Sequence, residues 1–491
     1  MTAIIRTYTG SLAWSGLAFL LIFITSAAWI RYFQAGNPTL ITDGEFVMRL
    51  LAVPGIGAVL VFFCLSCGGA GAAKTLAHPD TPAQQAQPGP FRAQVVGLQW
   101  LNPLQRRDYP TEWQLLWTLG LAKPNTNDDM VRAEPNDFSS VKTVAAIAYG
   151  QNGTASFASY HSQYISDLAN RFRDIYFSDS HYFYNAHSIK DKSTWRELAG
   201  IHVEYALPEG KLDPVSAKND AVEEIGSNFD IGNTAFPNSW TRSTPPDVRI
   251  TMGGANAGFT SLAAGLDYLQ SHPAETVWVM NWDAPSRPKD KQINENMVLL
   301  VLAGPDYKTG RAPLAWLPYP AVKKTADFTA NQHGQSRQFN AWKATLDQAA
   351  LNAGVPKQSL GFVIHDANNQ PQHASDRVAI LARTMREEVP GIDFMAHTFN
   401  TPALLGDMGA GTALTNVALA IAYANHFGKN VLVVGTNDQD QPTATVVLPP
   451  PVIRPIVPGA NWFRARGGNH MYLPWWGLRH DAPAYPQGFS K

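Results

Sequence analysis

Between Asn400 and Asn437 the sequence sets a glycine-rich turn, an apolar helix and a buried strand in direct succession, an order that only a layered α/β architecture satisfies readily. The turn reads Leu405-Gly406-Asp407-Met408-Gly409-Ala410-Gly411, and the strand Val431-Leu432-Val433-Val434 is closed by Gly435-Thr436-Asn437. The helix Ala413 to Ala422 is apolar on nearly all sides, so it is expected inside the protein, with Asn416 its main polar interruption and in need of an internal partner. Backbone N–H groups at such a helix start suit an anion or a developing oxyanion. Yet the turn contains no Ser, Cys or His. Asp407 is therefore expected to cap the helix start, and Gly406, Gly409 and Gly411 to serve backbone geometry.

The preceding chain alternates strands with helices. Ala93 to Leu98 reads as a strand, Thr111 to Leu119 as a helix, Val141 to Ala148 as a strand and Ser159 to Phe177 as a helix. Leu207 to Pro246 is polar and rich in Pro, Asn, Gly and Ser, and reads as an insertion with at most short helical pieces. The pattern then sharpens: strand Val248 to Met252, turn Gly253 to Gly258, helix Phe259 to Gln270 and strand Val277 to Asn281, a geometry on which α/β enzymes mount a nucleophile. A strand Val298 to Ala303, a helix Ser336 to Ala353, a strand Leu360 to Ile364 ending in His365-Asp366, and a helix Arg377 to Glu388 complete the series. The expected organisation is a first half over 92–310 with the insertion at 207–246, then a second, similar half within 311–491.

Two runs near the N-terminus carry no charge. Ser11 to Ile30 spans about 30 Å as a helix, the thickness of a hydrocarbon core. Leu50 to Cys67 is apolar as well, although Pro54, Gly55 and Gly57 interrupt it. The two are read as a membrane hairpin within residues 1–75; a cleaved secretory signal peptide is the rival reading of the first run, disfavoured by its length and by the second run that follows closely. A proline-rich linker follows at 76–91.

Several chemistries are disfavoured by composition. Lys plus Arg number 38 against 39 Asp plus Glu, so the net charge of −1 gives no electrostatic reason to expect nucleic acid. The only cysteines, Cys64 and Cys67, lie in the second apolar run, which leaves the rest without thiol chemistry. His181 to Tyr184 and His187 lack the spacing of a metal site, and neither metal nor cofactor is expected. His365 stands at the end of a strand, where α/β sheets place their chemistry, and an enzyme using His365 and Asp366 is one reading. A hydrogen-bonded core histidine is the other. In the tail, Trp462, Arg464, Tyr472, Trp475 and Trp476 suit an interface, or equally a tail docked on its own domain.

The order of motifs resembles the thiolase and β-ketoacyl synthase fold over most of Ala93 to Asn437. Val95-Val96-Gly97-Leu98, Asn102-Pro103-Leu104 and Trp113-Gln114-Leu115-Leu116 are similar to the opening of those synthases. Gly253 to Gly258 falls at their nucleophile elbow, Ile364-His365 at their first catalytic His, Asp407-Met408-Gly409-Ala410 at their Asn-x-Gly-His, and Gly435-Thr436-Asn437 at their closing Gly-Thr-Asn. The elbow here holds Ala255, Asn256 and Ala257, and Ala410 stands at the second His, so the resemblance implies a scaffold without condensing activity. Those synthases are dimers, which extends the expectation to a homodimer. A narrower resemblance, to the type VI secretion lipase-adapter family, rests on Gly97 to Pro103, Asn294-Glu295-Asn296, Asn400 to Gly409 and Tyr472 to Trp476. It implies a non-catalytic protein that holds a lipase effector for the secretion spike protein. The paired apolar runs are not a feature of the best-known adapters; they add the separate expectation of a bacterial inner-membrane anchor, with the soluble domain in the cytoplasm because an adapter meets its effector before export.

Overall fold

The computed structural model describes residues 90–104, 111–121, 132–133, 156–178, 201–228, 245–286, 293–308, 312–330, 335–367, 374–438 and 440–455, with three further strands between 462 and 490. All lie in the compact unit Pro88–Lys491. The two apolar runs, residues 76–89 of the linker, the strand expected at Val141 to Ala148 and the cluster at 181–187 lie outside the described residues. Among those described, no helix is long and apolar enough to cross a membrane.

Two sheets repeat one topology. The first uses β1 (Arg92–Leu101), β2 (His202–Pro208), β3 (Asp247–Gly253), β4 (Thr276–Asp283) and β5 (Asn296–Ala303) in the spatial order β3-β2-β4-β5-β1, with β6 (Ala315–Pro318) added beside β1. The second uses β7 (Ala321–Val322), β8 (Leu360–His365), β9 (Thr398–Asn400), β10 (Asn430–Gly435) and β11 (Thr443–Val447) in the order β9-β8-β10-β11-β7. In each sheet the third, second and fourth strands run parallel, and the fifth pairs antiparallel with both the fourth and the first, so it alone of these five is reversed. Strand order and strand sense therefore coincide throughout.

The helices repeat with the strands. In the first half α2 (Phe157–Ser178) follows α1 (Thr111–Thr118) and leads into β2, α3 (Pro214–Asn228) joins β2 to β3, and α4 (Ala257–Ser271) joins β3 to β4. In the second, α5 (Arg337–Ala353) leads into β8, α6 (Ala374–Glu388) joins β8 to β9, and the short α7 (Thr401–Leu405) with α8 (Thr412–Phe427) leads to β10. Side-chain alternation along the strands divides the core between layers. Val277 and Val279 face α4 and α8, while Trp278, Met280 and Trp282 face α2 and α3. Val431 and Val433 likewise join the central layer, and Leu432 and Val434 pack toward α5 and α6. The sequence Val431 to Val434 is continuously apolar because both of its faces are covered.

α8 runs through the centre, buried at nearly every position, as its all-round apolar sequence predicts. It meets α4 closely: a Cβ on Gly258 would lie 3.0 Å from both Ala413 Cβ and Leu414 Cγ. Glycine there sets the spacing of the two central helices.

One sequence expectation is corrected here. The segment 207–246, read as an insertion with only short helical pieces, contains the 15-residue helix α3 and begins within β2. The apolar face of α3 is narrow, with Ala217, Ala221 and Ile225 its buried apolar positions, so the surrounding polar residues conceal its period. The tail forms a separate sheet in which β12 (Trp462–Arg466), carrying Trp462 and Arg464, lies between β13 (Tyr472–Leu478), carrying Tyr472, Trp475 and Trp476, and β14 (Phe489–Ser490).

Candidate functional site

The turn before α8 is an anion site that the protein fills with its own carboxylate. Gly406 has φ +78° and ends α7, and Gly409 has φ +48°, both in the region that glycine favours. The Ala410 N–H points at Asp283 Oδ2, 2.9 Å away, at the end of β4. Lys211, from the segment between β2 and α3, donates to Asp283 Oδ1 at 2.5 Å and to the Ala284 carbonyl at 2.9 Å. Burial pushes the Asp283 carboxyl pKa up, and Lys211 with the Ala410 and Ala284 N–H groups only partly opposes that rise. The clamp ties the first half to the second.

Amides fix the remaining backbone of the turn. Asn281 Nδ2 donates to the Gly411 carbonyl at 2.7 Å while its Oδ1 accepts from the Val298 N–H at 3.0 Å, and Asn294 Nδ2 donates to the Asp407 carbonyl at 3.0 Å. Asn296 Nδ2 donates to the Thr415 hydroxyl. Asn416 has the internal partner its position requires, the Thr401 hydroxyl at 2.5 Å.

Two expectations change in detail. Asp407 does not cap α8: its Oδ1 accepts from the Gly409 N–H at 3.0 Å and closes a local turn, while the N-cap of α8 is Gly411. Gly411 itself has φ −73°, so its backbone suits any residue, and its lack of a side chain instead lets Asn296 approach.

His365 and Asp366, at the end of β8, turn in different directions. The His365 ring is buried and stacks on Phe394, its Nδ1 accepts from the Ala367 N–H at 3.3 Å, and burial lowers its pKa to about 4. Asp366 is buried too and accepts from the Thr436 N–H at 2.5 Å, the Thr436 hydroxyl at 2.8 Å and Asn437 Nδ2 at 2.9 Å. Burial raises its pKa to about 6, against those Thr436 bonds and the nearby Arg377. Arg377 in turn donates to Asn437 Oδ1 at 2.6 Å. The closing Gly435-Thr436-Asn437 is thus a turn held by Asp366. At neutral pH, His365 is an uncharged core side chain and Asp366 is already committed to that turn.

A cavity of about 950 Å³ opens beside the elbow, between Gly253 to Ala257 and the segment from Asn437 to Thr443. Arg377 and Asn437 line it, but His365 and Asp366 do not. The elbow has neither thiol nor hydroxyl: Ala255, Asn256 and Ala257 occupy it. Asn256 is the N-cap of α4 without capping through its side chain, and its Oδ1 is buried without a hydrogen-bond partner. Among the described residues no group of three or more His, Cys, Asp or Glu is placed to hold a metal ion.

Asp283, Lys211 and Asn281 were not among the site residues expected from sequence. Asp283 and Ala410 are 127 positions apart, and nothing local to either marks the pair.

Residues 314–449 match the family model described as type VI lipase adapter protein Tla3, C-terminal. The matched span covers β6 through β11, so it contains the whole second sheet. No curated protein matches the chain. Among solved structures, the oxazolomycin ketosynthase domain OzmH KS8 of Streptomyces albus is 12% identical, with a TM-score of 0.44 over 75% of this chain and 99% of that one. The ishigamide ketosynthase/chain length factor is 15% identical, with a TM-score of 0.45 over 74% of this chain and 100% of that one. For 3-oxoacyl-(acyl carrier protein) synthase III of Pseudomonas aeruginosa the values are 11% and 0.40, over 74% and 99%.

Proposed function

We propose that this chain is a membrane-anchored, non-catalytic adapter for a type VI secreted lipase effector, proceeding from the match of residues 314–449 to the C-terminal region of such adapters. That match is the observation that carries the reading. The site is in keeping with it. A condensing enzyme needs a thiolate at the elbow and imidazoles beside the thioester oxygen. Here the elbow is Ala255-Asn256-Ala257, Ala410 lends its backbone to a structural carboxylate, and His365 is buried and uncharged. The duplicated sheets supply a thiolase-like scaffold whose reagents are gone.

The expected result is that the full chain, purified from its own bacterium, brings down a lipase effector, and that His365→Gln leaves this capture unchanged. Absence of the effector from the complex would remove the adapter reading. Loss of function by His365→Gln with folding and capture intact would instead favour an enzyme.

The membrane anchor rests on the uncharged runs 11–30 and 50–67. Their even number puts both ends on one side, and an adapter that meets its effector before export requires that side to be the cytoplasm. A reporter fused after Lys491 is expected to be active when it is a cytoplasmic enzyme and silent when it needs the periplasm. The reverse pattern overturns this topology. A homodimer and a link to the spike protein belong to the same proposal, with the family resemblance as their support.

A further inference from the structure

We propose that the surface at the C-terminal end of α8, continued by the tail sheet, rests on an anionic lipid bilayer. This inference rests on the anchor reading and adds a second membrane contact, made by the folded unit itself. Among the described residues eight large apolar side chains are exposed, and three of them adjoin one another. Phe427 is 44% exposed at the end of α8, and Val452 and Ile453, 68% and 39% exposed, lie on the loop after β11. The two segments touch: a Cβ on Gly428 would lie 3.4 Å from Ile453 Cδ1, and the Arg454 N–H donates to the Asn425 carbonyl at 3.0 Å. Pro449, Pro450, Pro451 and Pro455 fix φ around the loop, so it holds its apolar pair in place at small entropic cost.

Charge selects what covers this patch. Lys429 and Arg454 are exposed beside the apolar trio, and among the described residues neither forms an ion pair. From Gln441 to His480 the sequence holds four Arg and no Asp or Glu, so the rest of the chain carries all 39 acids. That stretch includes β12 and β13. Their ladder sets Trp462 opposite Leu478, Arg464 opposite Trp476 and Arg466 opposite Tyr472, and positions opposite one another share a face of a sheet. One face of the tail sheet thus gathers Trp, Tyr and Arg positions. Pro455 and Trp462 are joined by a stretch that reaches at most about 25 Å, so the sheet begins within reach of the patch.

Apolar groups, tryptophan or tyrosine, and arginine together suit a bilayer interface: the acyl edge takes the first, headgroup depth the second and lipid phosphate the third. A nucleic acid would use the cations and leave Phe427, Val452 and Ile453 uncovered. The uncharged runs 11–30 and 50–67 supply the lipid, because they keep the folded unit at a bilayer and raise the local concentration of its headgroups. The cytoplasmic leaflet, on the side proposed for the folded unit, is also an anionic one.

A probe at residue 452 reads this contact directly. The full chain with Cys64→Ser, Cys67→Ser and Val452→Cys is labelled with the environment-sensitive fluorophore NBD and reconstituted in nanodiscs of phosphatidylcholine, alone or with phosphatidylglycerol. On the anionic discs emission is expected to rise at least ~2-fold over the neutral ones and to be quenched by spin-labelled lipid; high salt, or Arg454→Glu with Arg464→Glu and Arg466→Glu, should abolish both signals. The same label at Val215→Cys, a position 65% exposed on α3, is the control and should report water in every disc. If the triple reversal does not fold, Lys429→Glu with Arg454→Glu, both at exposed positions, gives the same loss.

Emission at residue 452 that is equal on neutral and anionic discs, and unquenched, overturns the membrane contact, while the anchor reading stands because the chain is held in the disc. A chain that stays out of the discs removes the anchor reading. Added to preformed phosphatidylglycerol vesicles, that labelled chain then shows the quenched rise, which upholds the surface by itself, or shows none, which removes both. A rise that needs the purified lipase effector instead of lipid makes this a protein interface and overturns the lipid assignment.

Discussion

Replacing Gly409 by alanine is expected to lower the unfolding free energy by about 3–5 kcal/mol, one of the largest effects available from adding no more than a methyl group. Two costs combine. The residue sits at φ +48°, where an L side chain costs roughly 1–2 kcal/mol, and its Cβ would lie 2.1 Å from Asp283 Oδ2. The carboxylate must therefore leave. Its departure orphans the buried Ala410 N–H and separates Asp283, whose side chain is 5% exposed, from Lys211. Lys211 is 31% exposed and can turn to water, so most of the loss falls on the buried partners. A urea melt of each single variant and the double variant checks this. In an Asp283→Ala background, Gly409→Ala should cost only its backbone share of roughly 1–2 kcal/mol, because the clash is gone. Gly391→Ala, with open space at its Cβ, should stay within about 0.5 kcal/mol of wild type. If Gly409→Ala unfolds with the same midpoint as wild type, the clamp does not hold the two halves.

The elements that stood out in the sequence were those whose surroundings are uniform. β5 and β10 are buried on both faces and read as unbroken apolar runs, and α8 is buried all round and contains little else. β2 escaped because its burial is partly polar. His202 sits between Glu204 at 2.7 Å and Asp247 at 3.0 Å, and its ring stacks on Tyr268, so charged-looking residues are accommodated by one another inside the sheet. β11, Thr443 to Val447, carries two threonines in a fully buried strand, one of which reaches the Pro318 carbonyl at 3.4 Å. In both strands a tertiary partner makes a polar residue suitable for the core.

The same limit governs the site. The turn 405–411 was legible as a holder of negative charge, because glycines before a helix direct N–H groups to one point. Which anion would fill it was not legible, since Asp283 comes from the other half and Lys211 from a stretch that looked like loop. The repetition of strand order between the sheets was equally remote from any single motif. It emerges from pairing across the chain, and it explains why the elbow before α4 and the turn before α8 come at equivalent places in the two halves. One of these places is filled by Asp283, and the other borders the open cavity.

His365 and Asp366 should give opposite responses to acid that nearly cancel in the wild type. Burial holds the His365 pKa at about 4 against an ordinary 6.5, so the folded state resists the proton that the unfolded chain takes up. Its contribution is complete above pH 6.5 and is lost as the pH falls toward 4. Asp366, raised by burial from 3.8 to about 6, behaves the other way: the folded state takes the proton first, and stability is gained as the pH falls from 6 toward 3.8. Each shift corresponds to about 3 kcal/mol over its window, and the windows overlap between pH 4 and 6. Asp366→Asn should therefore lose stability relative to wild type, by up to about 3 kcal/mol, as the pH falls from 6 to 4. His365→Gln, which keeps an acceptor for the Ala367 N–H, should gain a similar amount over pH 6.5 to 4. Urea midpoints for the two variants and wild type at half-unit steps supply the differences. Profiles parallel to wild type in both variants would mean that neither side chain changes its protonation on folding, and the assignment of His365 as a neutral core residue beside a structural carboxylate would fall with them.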